Sequence, residues 1–163
     1  MYRLIGRVSA PHRTQLFNTG VTTTDVALKT IHADSMIVDC LAIEQGQTAR
    51  LRQVIVTEQA LDPAALAKPA LRLMFFNQPV TQTINSLLAF NPDTFIGAVD
   101  IAAGGAWTEH NANNAYQQVK GIDLILQTNA AEATKTRAAW MVVLRNALGS
   151  CNAMKYRLSW ELF

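Results

Sequence analysis

The chain has 163 residues, of which 50% are hydrophobic, so it is long enough to bury one core. Only 16% of the residues are charged, compared with roughly 25% in a typical soluble domain. Its formal net charge of +2 comes from scattered Lys and Arg residues, which argues against the clustered basic face of a nucleic-acid-binding protein. The sequence has neither an apolar run of about 18 residues nor an apolar segment followed by a cleavage site at its start, so it predicts no membrane span and no secretory signal.

Strand-forming segments recur along the chain. Each is short, rich in Val, Ile, Phe or Thr, and bounded by turn residues, which is typical of β-strands. Residues 9–24, which contain Pro11, Gly20 and a run of three Thr, are predicted to form an arm. In chain order the predicted strands are residues 2–8, 25–31, 36–43, 51–58, 71–77, 95–102, 122–127, 140–145 and 154–162.

The C-terminal segment shows the clearest alternation. Because successive strand residues point to opposite faces, its spacing predicts a strand with one buried face. We expect residues 153–163 to form a C-terminal edge strand, and residues 2–8 to form another natural edge. The apolar positions are Met154, Tyr156, Leu158, Trp160 and Leu162, and the polar ones are Lys155, Arg157, Ser159 and Glu161.

Helical signals are confined to two short segments. Residues 62–67 begin with an Asp N-cap followed by Pro, and residues 83–90 precede an Asn-Pro stop, so they predict one or two helical turns within connections. Short strands without a long amphipathic helix predict an all-β fold, a two-sheet antiparallel β-sandwich that is jelly-roll-like and has about nine strands. No linker or internal repeat is present, so residues 1–163 are predicted to form a single domain.

The sequence contains no motif of an enzyme or a cofactor site. It has no Gly-x-Ser-x-Gly elbow and no Gly-rich phosphate loop, and Cys40 and Cys151 lack CxxC spacing. Glu109 and His110 are adjacent, but a metal site needs at least three converging ligands. We therefore predict a non-enzymatic protein without a metal or cofactor. Two enzyme classes remain as alternatives, although the spacing of the residues favours neither. A serine hydrolase would use Ser35 or Ser150 with His32 and Asp34. A glycosidase would use two of Asp34, Asp39, Asp93 and Asp100.

Residues 107–114 are predicted to form a polar loop between strands. Trp107 stands at its start, whereas Trp140 and Trp160 occupy alternating strand positions that are typical of a core. Trp107 is thus the indole that we expect to be exposed for contact. Together with the Asn residues of the loop, it leaves a carbohydrate-binding module as an alternative function.

Three central segments and one later strand carry a resemblance to a known group of proteins. They are residues 51–57, 71–79 and 95–101, followed by residues 140–144, and the second segment contains a Phe-Phe-Asn-Gln-Pro turn. Their order and spacing resemble those of small virion proteins of tailed bacteriophages, of the head-decoration or cement type, over residues 36–148.

The resemblance implies a β-sandwich that is made in the host cytoplasm and sits on the exterior of the virion capsid. Such a protein clamps neighbouring major capsid subunits and is often a trimer. The apolar connection 81–93 and the additional strand 153–163 depart from this pattern. A tail, adaptor or fibre-base component of the virion therefore remains an alternative.

The low charge content and the expected edge strands favour a protein that binds other chains. Neutral polar side chains cost less to desolvate than charges, an edge strand pairs readily with another chain, and repeated contacts on a symmetric shell add up through avidity. We predict a homo-oligomer, with a trimer favoured, that binds the major capsid protein but neither nucleic acid nor membrane. The residues predicted to contact partners are Arg3, Arg7, Trp107, His110, Asn111, Asn113 and Arg157.

Overall fold

A computed structural model describes residues 12–18, 37–42, 48–60, 66–78, 88–127, 137–145 and 152–162. Most of these residues form strands, and two short 3-10 turns, Pro92–Thr94 and Gly104–Ala106, precede β5 and β6. Within these ranges, no helix has the length and apolar character of a membrane span. The strands are β1 (His12–Asn18), β2 (Ile37–Ala42), β3 (Thr48–Gln59), β4 (Leu71–Phe76), β5 (Phe95–Ile101), β6 (Thr108–Asn111), β7 (Asn114–Gln127), β8 (Arg137–Arg145) and β9 (Ala153–Leu162).

The strands form two antiparallel sheets with the connectivity of a jelly roll. One sheet has the order β1-β9-β3-β7-β6 and the other has the order β2-β8-β4-β5. The strand pairs are nested, because β1 pairs with β9, β2 with β8, β3 with β7 and β4 with β5, and successive pairs alternate between the sheets. The short strand β6 adds to the edge beside β7. The prediction of an all-β, jelly-roll-like sandwich is therefore confirmed.

The core lies between the sheets and is built from the alternating residues of the central strands. On β9 the four residues Met154, Tyr156, Leu158 and Trp160 are fully buried. Trp160 meets Phe75 of the opposite sheet edge to face, with ring centroids 6.1 Å apart. These large side chains remove apolar surface from water and supply the main driving force for joining the two sheets.

The two sheets approach each other closely where β5 faces β7. A Cβ atom placed on Gly97 would lie only 3.0 Å from Leu124 Cδ1. Glycine at this position allows the backbone of β5 to lie against a large side chain of β7.

β4 is buried on both of its faces. Phe75 points towards the other sheet, yet its neighbours Met74 and Phe76 are also buried, at 7% and 0% exposure. The ring of Phe90 packs on Phe76 with centroids 5.2 Å apart. The chain itself therefore covers part of the outer face of the four-stranded sheet.

The strand pairing corrects three predictions. β9 lies between β1 and β3, so the prediction that residues 153–163 form an edge strand was wrong. Residues 12–18 of the predicted arm form β1 within the sheet. The predicted polar loop 107–114 contains β6 and the start of β7. An alternating pattern shows which face of a strand is buried, but it does not show how many strands flank it.

Most other predicted strands coincide with the structure, and the rest fall outside the described residues. Residues 122–127 are the second half of β7, and five further predicted segments overlap β2, β3, β4, β5 and β8. The predicted strands 2–8 and 25–31 lie outside the described ranges. The predicted helical turns lie mostly outside them as well, and the parts that are described, residues 66–67 and 88–90, are not helical.

Glu58 ties together one end of the sandwich, which we call the anchored end. Its side chain is fully buried. Oε1 accepts hydrogen bonds from the backbone N–H of Ala67 at 2.8 Å and from the side-chain amide of Asn152 at 2.6 Å. Oε2 accepts one from the backbone N–H of Lys68 at 2.8 Å. One carboxylate thus joins the end of β3 to the connection before β4 and to the residue before β9.

A second set of contacts extends the anchored end to the β5–β6 connection. The Lys68 carbonyl accepts a hydrogen bond from the Gly104 N–H at 3.0 Å, and the Lys68 ammonium pairs with Glu109 of β6. Lys68 has a φ of 41°, a conformation that is costly for a residue with a side chain. The hydrogen bonds on both sides of this residue hold it there.

Replacing Glu58 by Ala should destabilise the protein by about 3 kcal/mol or more, because it leaves two backbone N–H groups and one amide without their acceptor. Glu58→Gln should lose less, since one oxygen acceptor remains. Urea unfolding measures both changes, and Gln59→Ala, at an exposed neighbouring position, should change stability by no more than about 0.5 kcal/mol. A loss below about 1 kcal/mol for Glu58→Ala would show that the carboxylate does not hold the anchored end.

Candidate interaction surfaces

The β6–β7 hairpin brings together three of the residues predicted to contact partners, His110, Asn111 and Asn113. Asn111 Oδ1 accepts hydrogen bonds from the Asn113 N–H at 2.9 Å and from Asn114 Nδ2 at 3.0 Å. The Asn113 carbonyl accepts a hydrogen bond from the Ala60 N–H at 2.8 Å. Asn side chains commonly stabilise tight turns in this way. Asn111 and Asn113 therefore fix the shape and position of the turn.

Strand β6 forms an exposed edge beside this turn. All four of its residues are exposed, and β7 is its one strand neighbour within the described ranges. His110 lies at a shift in the register between the two strands. Such an edge offers backbone groups and polar side chains to an extended segment of another chain.

Trp107 is not the exposed indole that its sequence context predicts. Its side chain is 5% exposed and belongs to the core. Its Nε1–H donates a hydrogen bond to the Ala102 carbonyl at 2.8 Å. Because the ring packs inward and its polar atom is satisfied locally, Trp107 offers no stacking platform to a sugar, and the expected exposure is corrected.

The outer face of the five-stranded sheet carries a basic depression of about 260 Å³, lined by Ile55, Thr57, Lys155 and Arg157. The lining residues pair across two strands, Ile55 with Arg157 and Thr57 with Lys155. The alternation that buries Tyr156 turns both cations outward. Arg157, which the sequence predicts to contact partners, therefore lies on a different surface from the hairpin residues.

The charges on this face are distributed unevenly. Further along the sheet, Arg50 pairs with Asp123 at 3.0 Å, and Arg52 pairs with Glu161 at 2.9 Å. Within the described part of the chain, no acidic side chain pairs with Lys155 or Arg157. The described lining of the depression thus carries net positive charge, while two of the neighbouring cations, Arg50 and Arg52, are paired.

A cluster of three phenylalanine rings forms a second surface, at the start of β5. Phe90 and Phe95 have ring centroids 5.5 Å apart, and both pack on the buried Phe76. Each of the two outer rings is 38% exposed. Asp93 lies between them in the sequence and is exposed. We call Phe90, Asp93 and Phe95 the aromatic rim.

The backbone of the aromatic rim is held by local hydrogen bonds. Asn91 caps the turn, because its Oδ1 accepts a hydrogen bond from the Asp93 N–H at 3.0 Å. The Thr94 N–H donates to the Asn91 carbonyl at 3.0 Å, and the Asn77 N–H donates to the Thr94 carbonyl at 2.9 Å. The sequence showed only an apolar connection here, because it could not show that two rings would meet on a third.

The remaining predicted groups do not converge on a site in the described residues. Arg3 and Arg7 lie outside the described ranges, as do His32, Asp34, Ser35, Ser150 and Cys151. Asp100 pairs with Arg72 through two hydrogen bonds of 2.6 and 2.9 Å, which raise the pKa of the Arg72 guanidinium. In the described parts of the chain, no group of three or more His, Cys, Asp or Glu side chains is placed to hold a metal ion.

Comparison with known proteins adds little to this description. No protein-family model matches the sequence, and no curated protein matches it. A chain in the structure of infectious bursal disease virus, Gt strain, is similar over 92% of this chain and 32% of that chain, with 11% identity and a TM-score of 0.29. The present chain thus spans about a third of that one. At this TM-score the likeness supports no conclusion, and the fold rests on the strand order.

Replacing Trp107 by Ala should destabilise the protein by about 3–5 kcal/mol, because it empties a buried ring site. Trp107→Phe should lose about 1–2 kcal/mol, since it removes the hydrogen bond to Ala102 but keeps a ring. Chemical denaturation measures both losses. Tyr116→Ala, at an exposed aromatic residue of β7, is the control and should cost less than about 1 kcal/mol. Equal small effects at Trp107 and Tyr116 would contradict the burial of the indole.

Proposed function

We propose that this chain is a non-enzymatic structural protein of a virus particle and, more specifically, a bacteriophage protein that decorates and cements the capsid by clamping neighbouring major capsid subunits. The observation that carries the proposal is the nested jelly-roll strand order. Jelly rolls are typical of viral capsid proteins, and they also occur in lectins and cupins. Since a fold alone does not assign a function, the surfaces must distinguish among these classes.

The surfaces favour binding to protein. The β6 edge offers backbone groups to an added strand, and the contacts of Glu58, Lys68 and Asn113 hold the hairpin against the sheet. A contact surface that is already rigid loses less conformational entropy on binding. Each contact is small, but a capsid presents many copies of the same site, so binding is strengthened by avidity.

The lectin-like alternative loses its main support. It requires an exposed aromatic ring beside the Asn residues of the hairpin, and Trp107 is buried instead. The side-chain oxygen of Asn111 is already engaged in holding the turn. We therefore expect no binding to a glycan array.

When the chain is added to purified phage capsids that lack it, it should sediment with the capsids. It should also raise the temperature at which the capsids come apart. Thr108→Arg, on the exposed β6 edge, should weaken capsid binding at least about tenfold, because a bulky cation replaces a small side chain at the contact. Ile125→Arg places the same cation at an exposed position of β7, opposite Arg50 and away from β6, and should bind like the parent.

Three outcomes would count against the proposal or against its assignment of the contact to β6. Failure of the parent protein to bind capsids or to change their heat resistance would remove the capsid-cementing role. Labelled protein found on tails rather than on capsid shells by electron microscopy would replace it with a tail or adaptor role. Equal binding by the Thr108→Arg and parent proteins would show that β6 is not the contact surface.

A further inference from the structure

We propose that the aromatic rim of one copy of this chain seats in the basic depression of a second copy. The occupant is Phe90, Asp93 and Phe95, and the receiving residues are Ile55, Thr57, Lys155 and Arg157. The contact deepens the proposed function and rests on it and on the homo-oligomer that the sequence predicts, for which it supplies the interface. Three features of the structure carry it: placement, charge and size.

The two surfaces lie at opposite ends and on opposite faces of the sandwich. Thr57 and Lys155 lie near the end of β3, where Glu58 forms the anchored end. β4 starts from that same end and runs away from it to Phe76, on which the aromatic rim packs. The depression opens on the five-stranded sheet, whereas the rim belongs to the four-stranded sheet. Since the two surfaces face in opposite directions, a single neighbour cannot contact both of them, and each copy would use them with two different neighbours.

The charges of the two surfaces are complementary. Asp93 is exposed, and within the described ranges its carboxylate has no ion-pair partner. The depression presents Lys155 and Arg157 without an acidic partner from the described side chains. Most other charged groups around them are already paired, as with Arg50 and Asp123. The contact therefore brings together charges that the isolated chain leaves uncompensated, which favours this pairing over a random one.

The size and lining of the depression suit side chains of a protein partner. Its volume of about 260 Å³ is below the roughly 300–1,000 Å³ of pockets for drug-sized ligands. Ile55 gives it an apolar wall, and Arg157 can lie against an aromatic ring in a cation–π contact. Clustered exposed rings mark interaction sites, and aromatic residues and Arg dominate binding energies at interfaces.

Because the rim and the depression lie on opposite faces of the sandwich, a two-fold dimer cannot join both at once, and the contact is head to tail. Such heterologous contacts close into rings when the rotation between neighbours permits, and a trimeric ring is one such closure. Two depressions facing each other would bring four cations together, so a two-fold dimer through this face is disfavoured.

The test is sedimentation velocity on the chain of 163 residues. The parent should form an oligomer, and Asp93→Lys and Arg157→Glu should each raise its dissociation constant at least about tenfold, since each places like charges together at the contact. The double variant Asp93→Lys with Arg157→Glu should recover part of the parent oligomer, because it restores an attraction between positions 93 and 157, while Lys155 keeps its charge and opposes the new cation. Thermal unfolding of every variant verifies that the fold is kept.

The control is Asp123→Lys, which makes the same change in charge as Asp93→Lys on the outer sheet face, away from the rim. Its ion pair with Arg50 is exposed on the Asp123 side, so its loss costs little stability, and we expect the parent oligomer. Dissociation by Asp123→Lys would show that net charge, rather than the rim, controls assembly, and would overturn the proposal.

Other results would also overturn it, and they are distinguishable from failure of the proposed function. A parent protein that stays monomeric in solution, single variants that assemble like the parent, or a double variant that stays dissociated would each rule out the contact. Capsid binding by a monomeric parent would leave the capsid role standing without this contact. An oligomer that follows the charge-swap pattern but ignores capsids would leave this contact standing without the capsid role.

Discussion

The carboxylate of Glu58 is the constraint on which the described arrangement of connections depends. A buried charge loses its hydration at a cost of several kcal/mol unless other groups replace the water. Here two backbone N–H groups and the Asn152 amide do so. Their positions fix where the chain enters β4 and β9 relative to the end of β3. Through Lys68, the same site fixes the start of β6, and therefore the exposed edge at this end of the sandwich.

The sequence predicted the two-sheet architecture because its strongest signal was local. Alternation along β9 depends only on which side chains face the core, and the burial of Tyr156 and Trp160 agrees with it. The place of β9 between β1 and β3 depends on pairing with residues more than 90 positions away, which alternation does not encode. β6 was missed for a different reason. All four of its residues are exposed, so it has no apolar period and its composition is that of a loop.

The sequence predicted the exposure of single residues, but it did not predict surfaces that residues of different strands build together. Arg157 follows from its polar position on an alternating strand, but the depression around it needs Ile55 and Thr57 from β3. The aromatic rim needs Phe90 and Phe95 to meet on Phe76, and the sequence shows only that the segment is apolar. For Trp107 the prediction of an exposed ring was wrong. Its neighbours in the sequence are polar, but the indole is buried and its Nε1–H donates a hydrogen bond to the Ala102 carbonyl.

Among the described residues, the ion pairs of the surface leave unpaired charges of opposite sign at the two ends of the molecule. Exposed pairs such as Arg50 with Asp123 and Arg72 with Asp100 contribute little to stability, but they cancel charge over much of the described surface. What remains includes a basic site near the anchored end and the acidic Asp93 at the far end. Because only 16% of the residues are charged, few other charges weaken the electrostatic difference between the two ends. Attraction between unlike ends then orders neighbours head to tail, and repulsion between like ends opposes face-to-face pairing.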